Sequence, residues 1–320
     1  MKRSILISSL SFAASAINTW AERRITLNAF VVGSALSALA AMPQAHAGIL
    51  TLTPQGVADG FTLSQFAYLN SGYENTFNFG PFGVAYAGNG KVIVSNSANN
   101  TIYSFKDTDG QTTASALNTI SGGGTSTTGM ASLGGVAYGA DEATGGFAAY
   151  NSDGTINHAL ADVTTTPYLG MAGDPARNSI ISTSGSGLIE IDPAANGGLG
   201  SSRLIASVFG DGVSVSVDGK TAYLEDGDKI VGFDIATGAT VLTSPFISGL
   251  DGTGVISGGA FDGDIVANSN DGFIDLYDPA TTGLTTIASG GSRGDYAMND
   301  PSTGTLLLDY SEGVYRLSCG

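Results

Sequence analysis

Residues 212–239, GVSVSVDGKTAYLEDGDKIVGFDIATGA, decide how this chain is read. Apolar and polar residues alternate through Val213-Ser214-Val215-Ser216, stop at Asp218-Gly219 and resume in Thr221-Ala222-Tyr223-Leu224. A second turn follows at Asp226-Gly227-Asp228, then a third run, Lys229-Ile230-Val231-Gly232-Phe233-Asp234. Alternation with period two belongs to a strand whose two faces differ. Asp-Gly supplies the positive φ that a tight hairpin needs. The stretch is therefore a meander of short antiparallel strands.

Copies of this phrase open at Gly83, Gly135, Gly170, Gly212, Gly258 and Gly294, with spacings of 52, 35, 42, 46 and 36 residues. A mean near 42 is the length of a four-stranded propeller blade. Asp109-Gly110, Asp153-Gly154 and Asp271-Gly272 mark further hairpins. After residue 47 no window of about 11 residues keeps a helical apolar stripe. The pattern predicts an all-β chain folded as a six-bladed β-propeller with four-stranded blades. Its sixth copy ends at Gly320 after three strands, while an unassigned strand, Phe61-Thr62-Leu63-Ser64-Gln65-Phe66-Ala67-Tyr68, precedes the first copy. Placed as the outer strand of the sixth blade, residues 61–68 join the two ends of the ring and hide two sheet edges. The Ser/Gly/Thr-rich stretches 121–128 and 289–292 read as inter-blade loops of one domain, because the repeat resumes after each.

Composition narrows the rest. Gly contributes 47 of 320 residues, and 28 acidic residues face 12 basic ones. A chain that is 42% hydrophobic has the apolar residues that disordered acidic tails lack. Residues 29–41, AFVVGSALSALAA, form an uncharged run too short to span a bilayer. Arg23-Arg24 precede it and Ala45-His46-Ala47 follow it, the arrangement of a secretory signal with a small-residue cleavage site. The expected division is a removed signal, 1–47, and a single propeller domain, 48–320, in a secreted or periplasmic protein. Glu22-Arg23-Arg24-Ile25-Thr26-Leu27 loosely resembles a twin-arginine signal, which implies export in the folded state. Thr26 stands where that pattern usually has phenylalanine.

Residues 48–320 hold 27 acidic and 8 basic side chains, a net charge of −19. Such a surface repels phosphate backbones and anionic lipids, so neither nucleic acid nor membrane is an expected partner. Cys319 is the only cysteine and excludes an internal disulfide. A monomer is expected.

Two stretches resemble a known group. Gly80-Pro81-Phe82-Gly83-Val84-Ala85-Tyr86 is similar to the "GP-x-G-I-A" inner strand, and Ser216-Val217-Asp218-Gly219-Lys220-Thr221-Ala222-Tyr223 to the "SPDGKTLYV" hairpin. Both belong to six-bladed propellers of the NHL-repeat, streptogramin-lyase and gluconolactonase-like superfamily. The resemblance covers about residues 48–320, and its motifs mark a blade rather than an activity. In a propeller, the residues that open the innermost strands ring the mouth of the central channel. Here Phe82, Gly134, Leu169, Asp211, Ser257 and Arg293 stand immediately before the copy-opening glycines, with Tyr168 and Asp295 beside two of them. The candidate ligand-binding residues are Phe82, Tyr168, Asp211, Arg293 and Asp295, a few polar anchors among apolar groups. Arg293 has two readings. It is a positive anchor for an anionic group, or it is neutralised by Asp211 or Asp295.

The lactonase resemblance implies a divalent cation such as Ca²⁺ held by oxygen ligands. Its first ligand is a Glu where this chain has Phe79. Its Asn-Gly corresponds to Asp211-Gly212, which keeps an oxygen, and its later Asp corresponds to Ser257-Gly258, which lacks a carboxylate. Asp211 alone would bind metal. The lyase resemblance requires a channel His as general base, but His158, the only His after residue 47, falls on an outer strand of blade two. The same shortage removes a Ser-His-Asp triad and two-His metal sites. The acidic turns at 107–110, 226–228 and 262–264 each offer two carboxylates, yet none continues into an EF-hand loop. Asp and Gly are ordinary turn residues. The expected function is an exported, soluble, non-enzymatic binding or interaction module for a small molecule or protein, with no cofactor and no catalytic residue. The alternative is a metal-dependent lactone or ester hydrolase using Asp211, with Asp295 as a second candidate.

Overall fold

The computed structural model describes residues 49–69, 80–122, 129–141 and 144–320. The expected signal, Phe79 and most of the 121–128 stretch lie outside the described residues. Residues 47–320 group as one compact unit.

Six antiparallel sheets form the six blades. Their innermost strands are Pro81–Tyr86, Ala131–Leu133, Pro167–Asp174, Val213–Val215, Leu250–Val255 and Gly294–Asp300. Each blade then meanders outward through three more strands, and apolar side chains of neighbouring blades interlock between the sheets. Blades three and four, for example, share Ile181, Leu188, Val213, Ala222, Leu224 and Phe233. Among the described residues, no helix is long and apolar enough to cross a membrane.

Ring closure follows the expected route. Phe61–Tyr68 pairs antiparallel with Gly313–Cys319, from Phe61 opposite Cys319 to Tyr68 opposite Gly313. Two features go beyond it. Gln111–Thr112, from blade one, adds to Phe61–Tyr68 as a fifth, parallel strand, and Thr51–Leu52 extends the outer edge of blade five.

Two of the six expected inner strands are displaced. Gly134 and Gly135 form the turn between the inner strand Ala131–Leu133 and the second strand Val136–Asp141. The phrase beginning at Gly135 is thus a second strand, not a first. Likewise Gly258 follows the inner strand Leu250–Val255 and lies in the connection to Ile265–Ser269. Gly134 and Ser257 therefore do not open inner strands. The corresponding glycines are Gly83, Gly129, Gly170, Gly212 and Gly252, separated by 46, 41, 42 and 40 residues, with Tyr296 in their place in blade six. Strands so close to the axis leave no room for side chains there. A Cβ on Gly212 would fall 2.6 Å from Gly252 Cα, and one on Gly252 would fall 2.2 Å from the Asp295 carbonyl oxygen.

Candidate functional site

The inner strands do not run in perfect register with their neighbours. Pairing slips at Phe82, between Pro81 and Gly83, and at Asp251, between Leu250 and Gly252. It slips again between Pro167 and Met171, and between Gly294 and Ala297. A bulge inserts an unpaired residue and turns its side chain out of the ladder. The bulged segments contain Phe82, Tyr168, Asp251 and Asp295, so one device recurs around the ring and fills the mouth of the channel.

A charged cluster results. The Arg293 Nη2 donates to Asp251 Oδ2 at 2.7 Å and to Asp295 Oδ1 at 2.9 Å. Asp251 and Asp295 are each only 3% exposed. The Tyr296 hydroxyl donates to Asp211 Oδ1 at 2.6 Å, and the Asp211 backbone N–H donates to Glu225 Oε2 at 3.0 Å. Beneath them lies Asp309, fully buried, whose carboxyl oxygens make no hydrogen bond of ordinary geometry. The Asn268 Nδ2 group holds this layer by donating to the carbonyls of Tyr296 and Asp309 at 3.2 Å each. Phe82 packs against Tyr296 with ring centroids 6.0 Å apart, and Tyr168 and Leu169 stand half-buried at the rim.

Electrostatics follow from burial. Desolvation, reinforced by Asp295 and Asp211, pushes Asp251 well above the ordinary carboxyl range against the pull of Arg293. Two carboxylates share one guanidinium out of water, and both cannot be fully ionised cheaply. Burial, then the charge of Asp295, pushes Asp309 up in the same way. The Tyr168 hydroxyl is also raised, by burial and then by Asp211.

The structure thus brings Phe82, Asp211, Arg293 and Asp295 together, with Tyr168 at the rim, and pairs Arg293 with Asp295. Sequence reasoning missed Asp251, Tyr296 and Asp309. A signal for Asp251 existed: Asp251-Gly252 repeats Asp211-Gly212 at blade spacing. His158 lies on Ile156–Ala159, the outermost strand of blade two.

The implied divalent cation finds a poor fit. The fifth inner strand opens with Asp251-Gly252 and so does carry a carboxylate, contrary to the Ser257-Gly258 assignment. That carboxylate already holds Arg293, and Asp211 holds the Tyr296 hydroxyl. A second cation beside the guanidinium would be repelled by it. Among the described residues, no group of three or more Asp, Glu, His or Cys has metal-holding geometry. The acidic turn 107–110 is also spoken for, since Asp107 and Asp109 face Arg316.

No protein-family profile matches the chain, and no curated protein matches it. Solved structures do. A gluconolactonase from Xanthomonas campestris aligns over 86% of this chain and 96% of its own, at 13% identity and a TM-score of 0.62. Streptogramin B lyase aligns over 82% of this chain and 98% of its own, at 13% identity and a TM-score of 0.49. The extracellular domain of a one-component system from B. thetaiotaomicron aligns over 77% of this chain but 34% of its own, at 14% identity and a TM-score of 0.49. Identities this low speak for architecture alone. With its six four-stranded sheets closed by an N-terminal strand, the chain has the six-bladed β-propeller fold that the gluconolactonase also has.

Proposed function

We propose that the protein is an exported, non-enzymatic binding module that takes a small molecule rich in hydrogen-bond donors, a polyol or an amine, at the channel mouth. One observation carries the reading. Three carboxyl groups, Asp211, Asp251 and Asp295, gather at the mouth around one guanidinium and one phenol. A ligand offering hydroxyl or ammonium groups suits this concentration of carboxyl groups, and Phe82 and Tyr168 would pack on its apolar edges. Export is supported by the signal pattern of residues 1–47. The absence of His, Cys or a paired nucleophile and base among the described mouth residues favours binding over turnover.

Calorimetric titration with polyols, amines and lactones, each with and without Ca²⁺, Mn²⁺ or Zn²⁺, tests the reading. Saturable binding weakened by Asp211→Asn and by Tyr168→Ala, without turnover of any lactone, is expected. A second reading, metal-dependent lactone hydrolysis, rests on the two carboxylates Asp211 and Asp251 at the openings of neighbouring inner strands, which a cation would have to draw away from Tyr296 and Arg293. Metal-dependent turnover abolished by Asp211→Ala would put that reading first.

A further inference from the structure

The opposite end of the channel has a different chemistry. The inner strands of blades two to six finish around a cavity of about 320 Å³, a volume in the range of small-molecule pockets. Residues 48–320 contain three methionines, Met130, Met171 and Met298, and all three border it. Val215, Val255 and Ala297 add to the apolar wall. Thioether side chains adapt to the shape of an apolar guest better than branched ones do.

Charge is spent before it reaches this space. Asp300 is the one ionisable lining residue, and its carboxylate accepts from Arg316 Nη1 at 2.6 Å. Two of the lining hydroxyls are committed as well. Ser214 shares a 2.8 Å hydrogen bond with Thr253, and Ser216 donates to Asp218 at 2.8 Å. Ser132 is different. The residue lines the cavity, but its hydroxyl is shut off from it and has no hydrogen-bond partner, a condition that costs free energy and that a change of χ1 rotamer toward a guest would relieve.

We propose that this cavity binds a neutral, largely apolar small molecule carrying one hydrogen-bonding oxygen, which draws the Ser132 hydroxyl to the cavity side and pairs with it. An ion would find no uncommitted opposite charge on the wall. A polyol would exchange its hydration for methionine and valine surface, leaving most of its hydroxyls unpartnered. A compact ring system with a single hydroxyl removes apolar wall from water and satisfies Ser132. This site is separate from the channel mouth and does not depend on what binds there.

The test uses the full-length chain labelled with ¹³C at the methionine methyls and titrated with 2-naphthol. The signals of Met130, Met171 and Met298, assigned by single Met→Leu substitutions, should shift along one saturating curve. Ser132→Ala should weaken 2-naphthol binding about fivefold, the worth of one hydrogen bond, and leave naphthalene binding unchanged. Ser257→Trp, at the exposed rim, should abolish the shifts while keeping the wild-type melting temperature, with Val217→Trp as a second obstruction should Ser257→Trp fail to fold. Methionine signals that stay still up to the solubility limit would overturn the proposal. So would shifts unaffected by either rim substitution, or a Ser132→Ala effect equal for 2-naphthol and naphthalene.

Discussion

Arg293 holds two buried carboxylates with one guanidinium, and its removal would leave Asp251 and Asp295 facing each other without a counter-charge. Breaking such a pair is costly because the remaining charge stays desolvated. Arg293→Ala should therefore lower stability by about 3–5 kcal/mol in urea melts, and a loss under about 0.5 kcal/mol would show that the pair is not structural. Asp264 makes a gentler test. Burial, then the charge of Asp278, raises its carboxyl to about 6. A carboxyl raised in the folded state contributes no penalty below the unfolded value near 3.8, and a growing penalty as pH climbs through 6. Asp264→Asn should thus leave stability unchanged near pH 4 and increase it by about 1 kcal/mol at pH 7, a figure reduced for solvent screening. Equal effects at both pH values would refute this assignment. At this scale legibility was uneven. Asp211, Arg293 and Asp295 adjoin the glycines that open copies of the repeat, whereas Asp251 adjoins none of the glycines from which the copies were counted and is seen at the site only through its bulge inside a strand.

At the scale of elements, the closing strand is secured by more than its ladder. Arg316, on the strand Gly313–Cys319, donates to Asp300 at 2.6 Å, Asp107 at 2.5 Å and Asp109 at 2.8 Å, and also lies 5.2 Å over the Phe66 ring. Asp107 and Asp109 come from the turn that leads blade one into Gln111–Thr112, the strand that pairs with Phe61–Tyr68. One side chain thus ties blade one, blade six and the N-terminal strand together. Arg316→Ala should cost about 3 kcal/mol or more, because Asp300 stays fully buried without its cation. Differential scanning calorimetry measures this directly. A chain beginning at Asn70 lacks the closing strand, exposes the edge of Gly313–Cys319 and should aggregate or lose cooperative unfolding. Wild-type-like melting of that chain would contradict the closure. The strand 61–68 was legible because its alternation survives outside any copy, whereas Gln111–Thr112 is two residues long and carries no period to detect.

At the scale of the whole molecule, residues 48–320 carry a net charge of −19, and all four arginines of that segment are engaged with carboxylates: Arg177 and Arg203 with Glu190, then Arg293 and Arg316. The uncompensated charge is therefore acidic and repels itself across the ring. Raising NaCl from about 10 mM to 500 mM, which shortens the Debye length from roughly 30 Å to a few ångströms, should increase the urea midpoint. The buried pairs at Arg293 and Arg316 are screened far less. A midpoint that falls with salt would mean that surface ion pairs outweigh the repulsion.

Alternation, turn dipeptides and a repeat near 42 residues sufficed for the all-β class and the six blades, because each depends on neighbours in the chain, and counting strands gave the closure, since one end of the repeat lacks a strand that the other end has to spare. Which strand of a blade stands beside the axis was another matter. Val136-Ala137-Tyr138 repeats the phrase Val84-Ala85-Tyr86, yet one is a second strand and the other an inner strand. Antiparallel strands share the same local grammar, and only pairing with distant strands ranks them from centre to rim. The channel mouth depends on that ranking and on bulges, which displace a side chain by one residue and leave no periodic trace. Tertiary structure alone therefore brought Asp251, Tyr296 and Asp309 to Arg293, since burial and approach across blades, not sequence spacing, make them one cluster.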